Sequence, residues 1–356
     1  MLKHRAAASR LDELSRGRNN NLNLVRLLAA VGVVYGHAFG VGDRTAEEPF
    51  FQTFGIGVGD VCVDVFFLIS GFLVTKSFLK RDLVHFAWAR AARIYPALWA
   101  STGFLVLVCG LFFSPLTPIA FWGRHDTLTY LARNVVMLPM WGGQADLPYA
   151  FNNFTTEFNT SLWTLPYELQ MYLLLTLIGV IGWLRSPAIA AAIAIGGACL
   201  YIAYAIFAQH QLPPQSARFL YFFFAGAAAH LAADRIPMRI SFVFVPIAIV
   251  VSASALTSST LMRQAALALA LPYAVLWFSF VPAGLIRRFN RLGDYSYGVY
   301  ILASPIQVFL ALRLPAASPI TRFALALGAV TPLAVLSWHC LEKRALGLPL
   351  PAALVR

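Results

Sequence analysis

The sequence predicts an all-α fold, a polytopic integral membrane bundle of about ten transmembrane helices. Three observations predict it. Only 12% of the 356 residues are charged, against about 25% in soluble domains. Mean hydropathy is +0.70. Apolar runs of about 20 residues, enough to cross a bilayer as helix, recur along the chain. Their continuity is unlike the alternation of a membrane barrel, and backbone hydrogen bonding in lipid permits only these two solutions. The net charge of +12 reads as the basic bias of cytoplasmic loops, with no nucleic-acid partner implied.

In chain order, residues 1–21 form a basic cytoplasmic tail, too polar for a signal peptide. Spans follow at 22–40, 56–79, 95–114, 161–184, 187–208, 217–233, 240–257, 262–282, 296–313 and 320–341. Residues 342–356 form a short cytoplasmic tail, so 22–341 is the single membrane domain. With the N-terminus inside, the inner segments hold 19 Lys and Arg and the outer ones 7, among them Arg218 and Arg322. That asymmetry sets the orientation and an even span count, with both termini cytoplasmic. The stretch 128–141, between the third and fourth spans, is too short to cross and lies at the interface or folds back. Cys62, Cys109, Cys199 and Cys340 fall in apolar runs and read as small buried hydrophobes, with no metal site among them.

The stretch from Ser161 to Tyr172 organises the functional reading. Glu168 sits inside its apolar run, about 10 Å below the outer end of the fourth span at 1.5 Å per residue. A carboxylate at that depth is costly without a partner or a task. The alternating directions of the spans bring His37, Asp60, Asp64 and Glu168 into the outer half of the membrane. Asp60 and Asp64 are four apart, on one helix face. A His with carboxylates in a water-poor site is a general acid/base arrangement. The plainer reading of each is an interhelical hydrogen-bonder or an interfacial charge. Arg90 and Arg93, three apart at the cytoplasmic mouth of the third span, suit phosphate recognition or simple topology anchoring. Arg26, near the inner end of the first span, joins that mouth or snorkels.

Five stretches resemble the acyltransferase-3 family of integral membrane acyltransferases, which includes O-antigen, Nod-factor and exopolysaccharide O-acetylases. The run from Asn23 through Arg26 to His37 resembles the family's first-helix motif, which ends in an essential His. Asp64 to Leu73, with Ser70-Gly71, resembles its second element. Arg90, Arg93, Tyr95 and Pro96 resemble its RxxR-aromatic-Pro element. Ser161 to Glu168 with Tyr172, and Gly293 to Tyr300, resemble the other two. Two positions depart from the pattern: Asn23 stands where an acidic residue is common, and Ala303 where a second membrane His often lies. The chain's end suggests a member without the extracytoplasmic hydrolase-like domain that many relatives carry.

The resemblance implies a protein of the bacterial inner membrane whose donor is acetyl-CoA or another acyl-CoA, held by Arg90 and Arg93, with Arg26 added by its position if it joins that mouth. It implies an acceptor hydroxyl on a glycan or glycolipid at the outer side. His37 is then the general base, supported by Glu168 or Asp64. Ser70 is either an oxyanion donor or a packing residue. Trp163, Tyr167, Tyr295, Tyr297 and Tyr300 line an acceptor groove or serve packing. The competing class is a transporter or flippase that uses the same His and carboxylates as a proton relay.

Overall fold

The computed structural model describes residues 10–17, 19–41, 48–137, 159–207 and 215–350. These residues are helical, with no strand among them beyond one isolated bridge between Arg10 and Pro237. The main helices are α1 (Leu22–Gly40), α2 (Val58–Phe78), α3 (Leu83–Val108), α4 (His125–Val136), α5 (Leu165–Val180), α6 (Pro187–Phe207), α7 (Gln215–Leu231), α8 (Ser241–Leu256), α9 (Thr260–Phe280), α10 (Ser296–Arg313) and α11 (Pro319–Ser337).

Each of the ten expected runs is helical, but the expectation of about ten spans is not confirmed. Six helices among the described residues are long and apolar enough to cross a membrane. A seventh is added if Gly284–Arg291 and α10, bent by 72°, count as one broken span. α5, α7 and α8 have 16, 17 and 16 residues, about 24–26 Å of helix against a hydrocarbon core of about 30 Å.

One boundary differs by a full three turns. The third expected span starts at 95. α3 instead begins at Leu83. Its N-cap is Asp82, whose Oδ1 accepts the His85 backbone N–H at 3.0 Å and whose Oδ2 meets the His85 ring at 2.6 Å. These contacts hold the Asp82 carboxyl below the usual carboxylate range. Arg90 and Arg93 therefore lie well inside a helix that runs through Pro96. α4, with 12 residues, covers the described part of the 128–141 stretch and is too short to cross. Residues 138–141 lie outside the described residues.

The chain divides into two compact units. The first comprises Met1–Val33, Glu47–Lys80 and Met171–Asp294; the second comprises Val34–Ala46, Arg81–Gln170 and Tyr295–Arg356. In the first unit, α2 and α7 cross at two glycines. A Cβ on Gly71 would overlap the Phe223 carbonyl, and one on Gly226 would overlap the Leu68 carbonyl. Such small-residue crossings let apolar helices pack through their backbones. Phe67 and Phe219 stack beside the crossing at 4.1 Å between ring centroids. The start of α1 is tied down by Asn21. Its N–H donates to Ser279 O at 2.8 Å and its Nδ2 to Phe278 O and Pro282 O.

In the second unit, α10 is the axis. It packs on α11 at Gly298 and Ala334. Its far end shares a core with Val41, Leu105, Cys109, Phe121 and Tyr130. α4 is fixed to α3 by Trp99 Nε1 donating to Val135 O at 2.9 Å and the Tyr95 hydroxyl donating to Val136 O at 3.1 Å. Of the four cysteines, only Cys109 is fully buried, while Cys199 and Cys340 are exposed. The expectation of four buried thiols fails because the outer faces of membrane helices are as apolar as their interiors.

Gly71→Ala should lower the unfolding temperature of detergent-purified protein by several degrees or abolish recovery of folded protein. Gly103→Ala meets nothing within 4 Å and should be neutral or mildly stabilising. Thermal unfolding of the two variants against the unmodified chain checks this.

Candidate functional site

Most of the residues singled out from sequence fall in the second unit: His37, Arg90, Arg93, Trp163, Tyr167, Glu168, Tyr297 and Tyr300. Several of the segments that carry them bond to α10. At its start, the Tyr297 hydroxyl donates to Ile94 O at 2.9 Å and the Arg93 guanidinium lies 5.6 Å from the Tyr297 ring. Arg93 also pairs with Glu342 at 3.7 Å, with only 13% and 2% of the two side chains exposed. Ser337 Oγ donates to the other carboxylate oxygen of Glu342 at 2.9 Å. Arg90, half-buried on the same face of α3, has its guanidinium 6.0 Å from the Phe86 ring.

One turn further along α10, Tyr300 and Thr164 share a hydrogen bond. The hydroxyls of Thr160 and Ser304 meet at 2.7 Å. Ile301 O accepts from Ser101 Oγ at 3.3 Å and from Asn159 Nδ2 at 3.2 Å. These bonds seat the turn Thr160–Thr164 against α10, and α5 leaves from that turn carrying Glu168 in its first turn. Glu168 is close enough to Tyr297 and Tyr300 to act on both electrostatically, as Arg93 and Glu342 act on Tyr297. Tyr297 and Tyr300 are nearly buried with hydroxyls committed to internal partners, whereas Trp163 and Tyr167 are half-buried and meet edge to face at 6.0 Å.

Two turns beyond Tyr300, Gln307 Nε2 donates to Val34 O at 2.6 Å. Val34 and His37 are three apart and so share a face of α1. His37 is half-buried, and its Nδ1 is shut off from solvent.

Asp60, Asp64, Ser70 and Arg26 belong to the first unit. Asp64 is 98% buried, and its Oδ1 lies 3.0 Å from Arg218 Nε. Arg218 Nη2 donates to Asp60 Oδ1 at 3.1 Å. The sequence placed Arg218 among the outer loop charges. It lies instead inside α7 with 7% of its surface exposed. The signal was available: Arg218 is the one Lys or Arg between Arg185 and Arg235, and two carboxylates a turn apart in an apolar helix require a cation. Arg26 pairs with Asp294, and Asn23 Nδ2 donates to Gly293 O at 3.2 Å. Ser70 is half-buried beside the Gly71 crossing.

Sequence reasoning also missed Glu342, Asp294, Gln307 and Arg322. Arg322, another residue counted as an outer loop charge, lies in the first turns of α11 with 3% exposure. Its Nε and Nη1 are buried without a hydrogen-bond partner, and no ion pair to it occurs among the described residues.

A helical protein with membrane-length apolar helices, whose half-buried His, carboxylate and two neighbouring arginines fall in one unit, suits the chemistry of group transfer or proton transfer. Comparison with known proteins narrows this. The acyltransferase domain model matches residues 19–339, and the chain belongs to the acyltransferase-3 family. It is 33% identical to nodulation protein 10 of Rhizobium leguminosarum bv. viciae over 199 residues, 52% of each chain. It is 28% identical to the O-acetyl transferase of Shigella phage Sf6 over 158 residues, 44% of this chain and 45% of that one. The matches thus span about half the length of these curated relatives. No solved structure matches.

Asp64→Leu leaves Arg218 with only the half-exposed Asp60 and should cost about 3–5 kcal/mol of stability. Asp64→Leu combined with Arg218→Met removes both charges and should recover most of that loss. Thermal unfolding of the two single variants and the double variant measures the coupling.

Proposed function

We propose that this protein is a membrane O-acyltransferase. It moves an acyl group, acetyl in the simplest case, from cytoplasmic acyl-CoA to a hydroxyl of a glycan or glycolipid at the outer side of the bacterial inner membrane. The observation that carries this reading is the placement of His37, Glu168, Arg90 and Arg93 in one compact unit of an acyltransferase-3 chain. The 19-to-7 distribution of Lys and Arg supports ten spans with both termini inside. Burial of Arg218 and Arg322 removes two cations from the outer surface and strengthens that bias.

In this reading, Arg90 and Arg93 hold the phosphates of coenzyme A, the planar guanidinium forks matching phosphate oxygens. Glu342 already occupies part of the Arg93 charge, so donor binding exchanges one anion for another. The thioester carbonyl reaches His37. His37 takes the proton of the acceptor hydroxyl as its oxygen bonds to the acyl carbon. The C–S bond then breaks, and the coenzyme A thiolate leaves with the proton from the imidazolium. Glu168 supports the charged imidazolium. Asp64, neutralised by Arg218, contributes as the scaffold of the first unit. Trp163 and Tyr167 offer the half-buried aromatic faces that suit a sugar ring, while the Tyr297 and Tyr300 hydroxyls tie α10 to α3 and to the turn before α5. Ser70 serves packing at the α2–α7 crossing.

The test is transfer from labelled acetyl-CoA by protein reconstituted in lipid nanodiscs, with a panel of bacterial surface glycans as acceptors. The unmodified chain should release coenzyme A and label a glycan. His37→Ala should reduce both by at least about 100-fold at an unchanged unfolding temperature. Undiminished transfer by folded His37→Ala would remove His37 from the reaction.

A further inference from the structure

Arg322 is an anomaly the transfer reaction above does not use. It is almost wholly buried, and its Nε and Nη1 lack hydrogen-bond partners. It is the fourth residue of α11, where the helix dipole is positive. A cation is disfavoured there, and an anion would be favoured by dipole and guanidinium together. Snorkelling does not account for it, because a snorkelling Arg exposes its head.

Its position is fixed by three contacts within the second unit. Gly298 packs on Ala334 across the α10–α11 hairpin. Twelve residues back from Ala334, at equal rise, Arg322 stands level with Leu310, about one turn from Gln307. The Phe323 ring lies 5.7 Å from the Tyr35 ring of α1. Gln307 itself holds the Val34 carbonyl, one turn before His37. Its Oε1 is buried without a hydrogen-bond partner, and the residue is 1% exposed. Gln307, with Oε1 unsatisfied, thus holds the turn of α1 before His37, and Arg322, unsatisfied as well, precedes Phe323, which meets Tyr35 on that same helix.

We propose that Arg322 and Gln307 form a substrate subsite beside His37, in which Arg322 takes a negatively charged oxygen and Gln307 Oε1 accepts a hydroxyl hydrogen. This rests on the acyl-transfer reading. The anionic oxygen has two chemical sources. One is a carboxylate or phosphate on the acceptor, making the acceptor an acidic glycan or a sugar phosphate. The other is the oxyanion formed at the thioester carbon as the hydroxyl attacks. Gln307 is a positioning residue for α1 as well as a hydroxyl acceptor.

The experiment follows coenzyme A release from acetyl-CoA by the full chain in nanodiscs, in buffer alone and with uronate-containing, sugar-phosphate or neutral oligosaccharides. The variants are Arg322→Met, Arg322→Lys and Gln307→Leu. An acceptor anion predicts stimulation by the acidic compounds only. Arg322→Met then loses that stimulation about 100-fold and Arg322→Lys restores part of it. An oxyanion predicts that Arg322→Met lowers both rates alike without changing the acetyl-CoA KM. In either case Arg322→Met keeps or raises the unfolding temperature, because an unpaired buried charge is removed. The proposal is overturned if Arg322→Met leaves both rates unchanged, or lowers the unfolding temperature by several degrees as loss of a structural contact would. Absence of acetyl-CoA binding to the unmodified chain would instead overturn the acyl-transfer reading, and the unfolding comparison would still judge the subsite.

Discussion

The rest of the structure depends on one constraint: a charge inside an apolar helix must be answered by another group inside the protein. Asp64 and Asp60 are answered by Arg218, Arg26 by Asp294, and Arg93 by Glu342. In each case the partners are far apart in sequence, so the pair does what a hydrophobic contact between featureless apolar helices cannot. It fixes which helix lies beside which, and at what rotation. The α2–α7 crossing shows the combination. Gly71 and Gly226 allow the backbones to touch, and the Arg218–Asp64 pair sits on the same two helices and sets their register. Removing one partner is therefore far more damaging than removing both.

α10 applies the same constraint to the second unit with neutral groups. Tyr297, Tyr300, Ser304 and Gln307 recur at three- and four-residue spacing, so they share one stripe of the helix. Together they bond three elements: Tyr297 the backbone of α3, Tyr300 and Ser304 the turn before α5 through Thr164 and Thr160, and Gln307 the backbone of α1. The stripe brings the segment bearing Arg93, the segment bearing Glu168 and the segment bearing His37 to one helix. Gln307 Oε1, on that stripe, and two guanidinium nitrogens of Arg322 remain buried without hydrogen-bond partners.

Much of this was legible in the sequence, and the rest was hidden for identifiable reasons. The apolar runs gave the helices, to the residue at 22–40 and 296–313. The start of α3 was hidden because Asp82, its cap, lies in a polar stretch that reads as a loop. His37 and Glu168 could be singled out because their depth in an apolar run is costly by itself, and Arg90 and Arg93 because their spacing puts them on one helix face. Asp294, Glu342 and Arg218 were not, because each matters only through a partner 150 or more residues away, and one sequence does not show which distant residues meet. Arg322 was misread for a related reason: a cation at a helix start looks like loop charge until its burial is known. The number of spans stayed open because α5, α7 and α8 are a few residues short of a bilayer's thickness.

The central claim is that the arginines on α3 and the histidine on α1 serve one acyl-CoA reaction. Calorimetric titration of acetyl-CoA into the detergent-solubilised protein, unmodified and with Arg90→Ala/Arg93→Ala, tests it most directly, because it needs no knowledge of the acceptor. The account predicts saturable binding by the unmodified chain that weakens at least about tenfold, or 1.4 kcal/mol, in the double variant, with His37→Ala binding as before. Absence of binding to well-folded protein across several acyl chain lengths would contradict it and turn His37 and Glu168 into candidates for a proton relay.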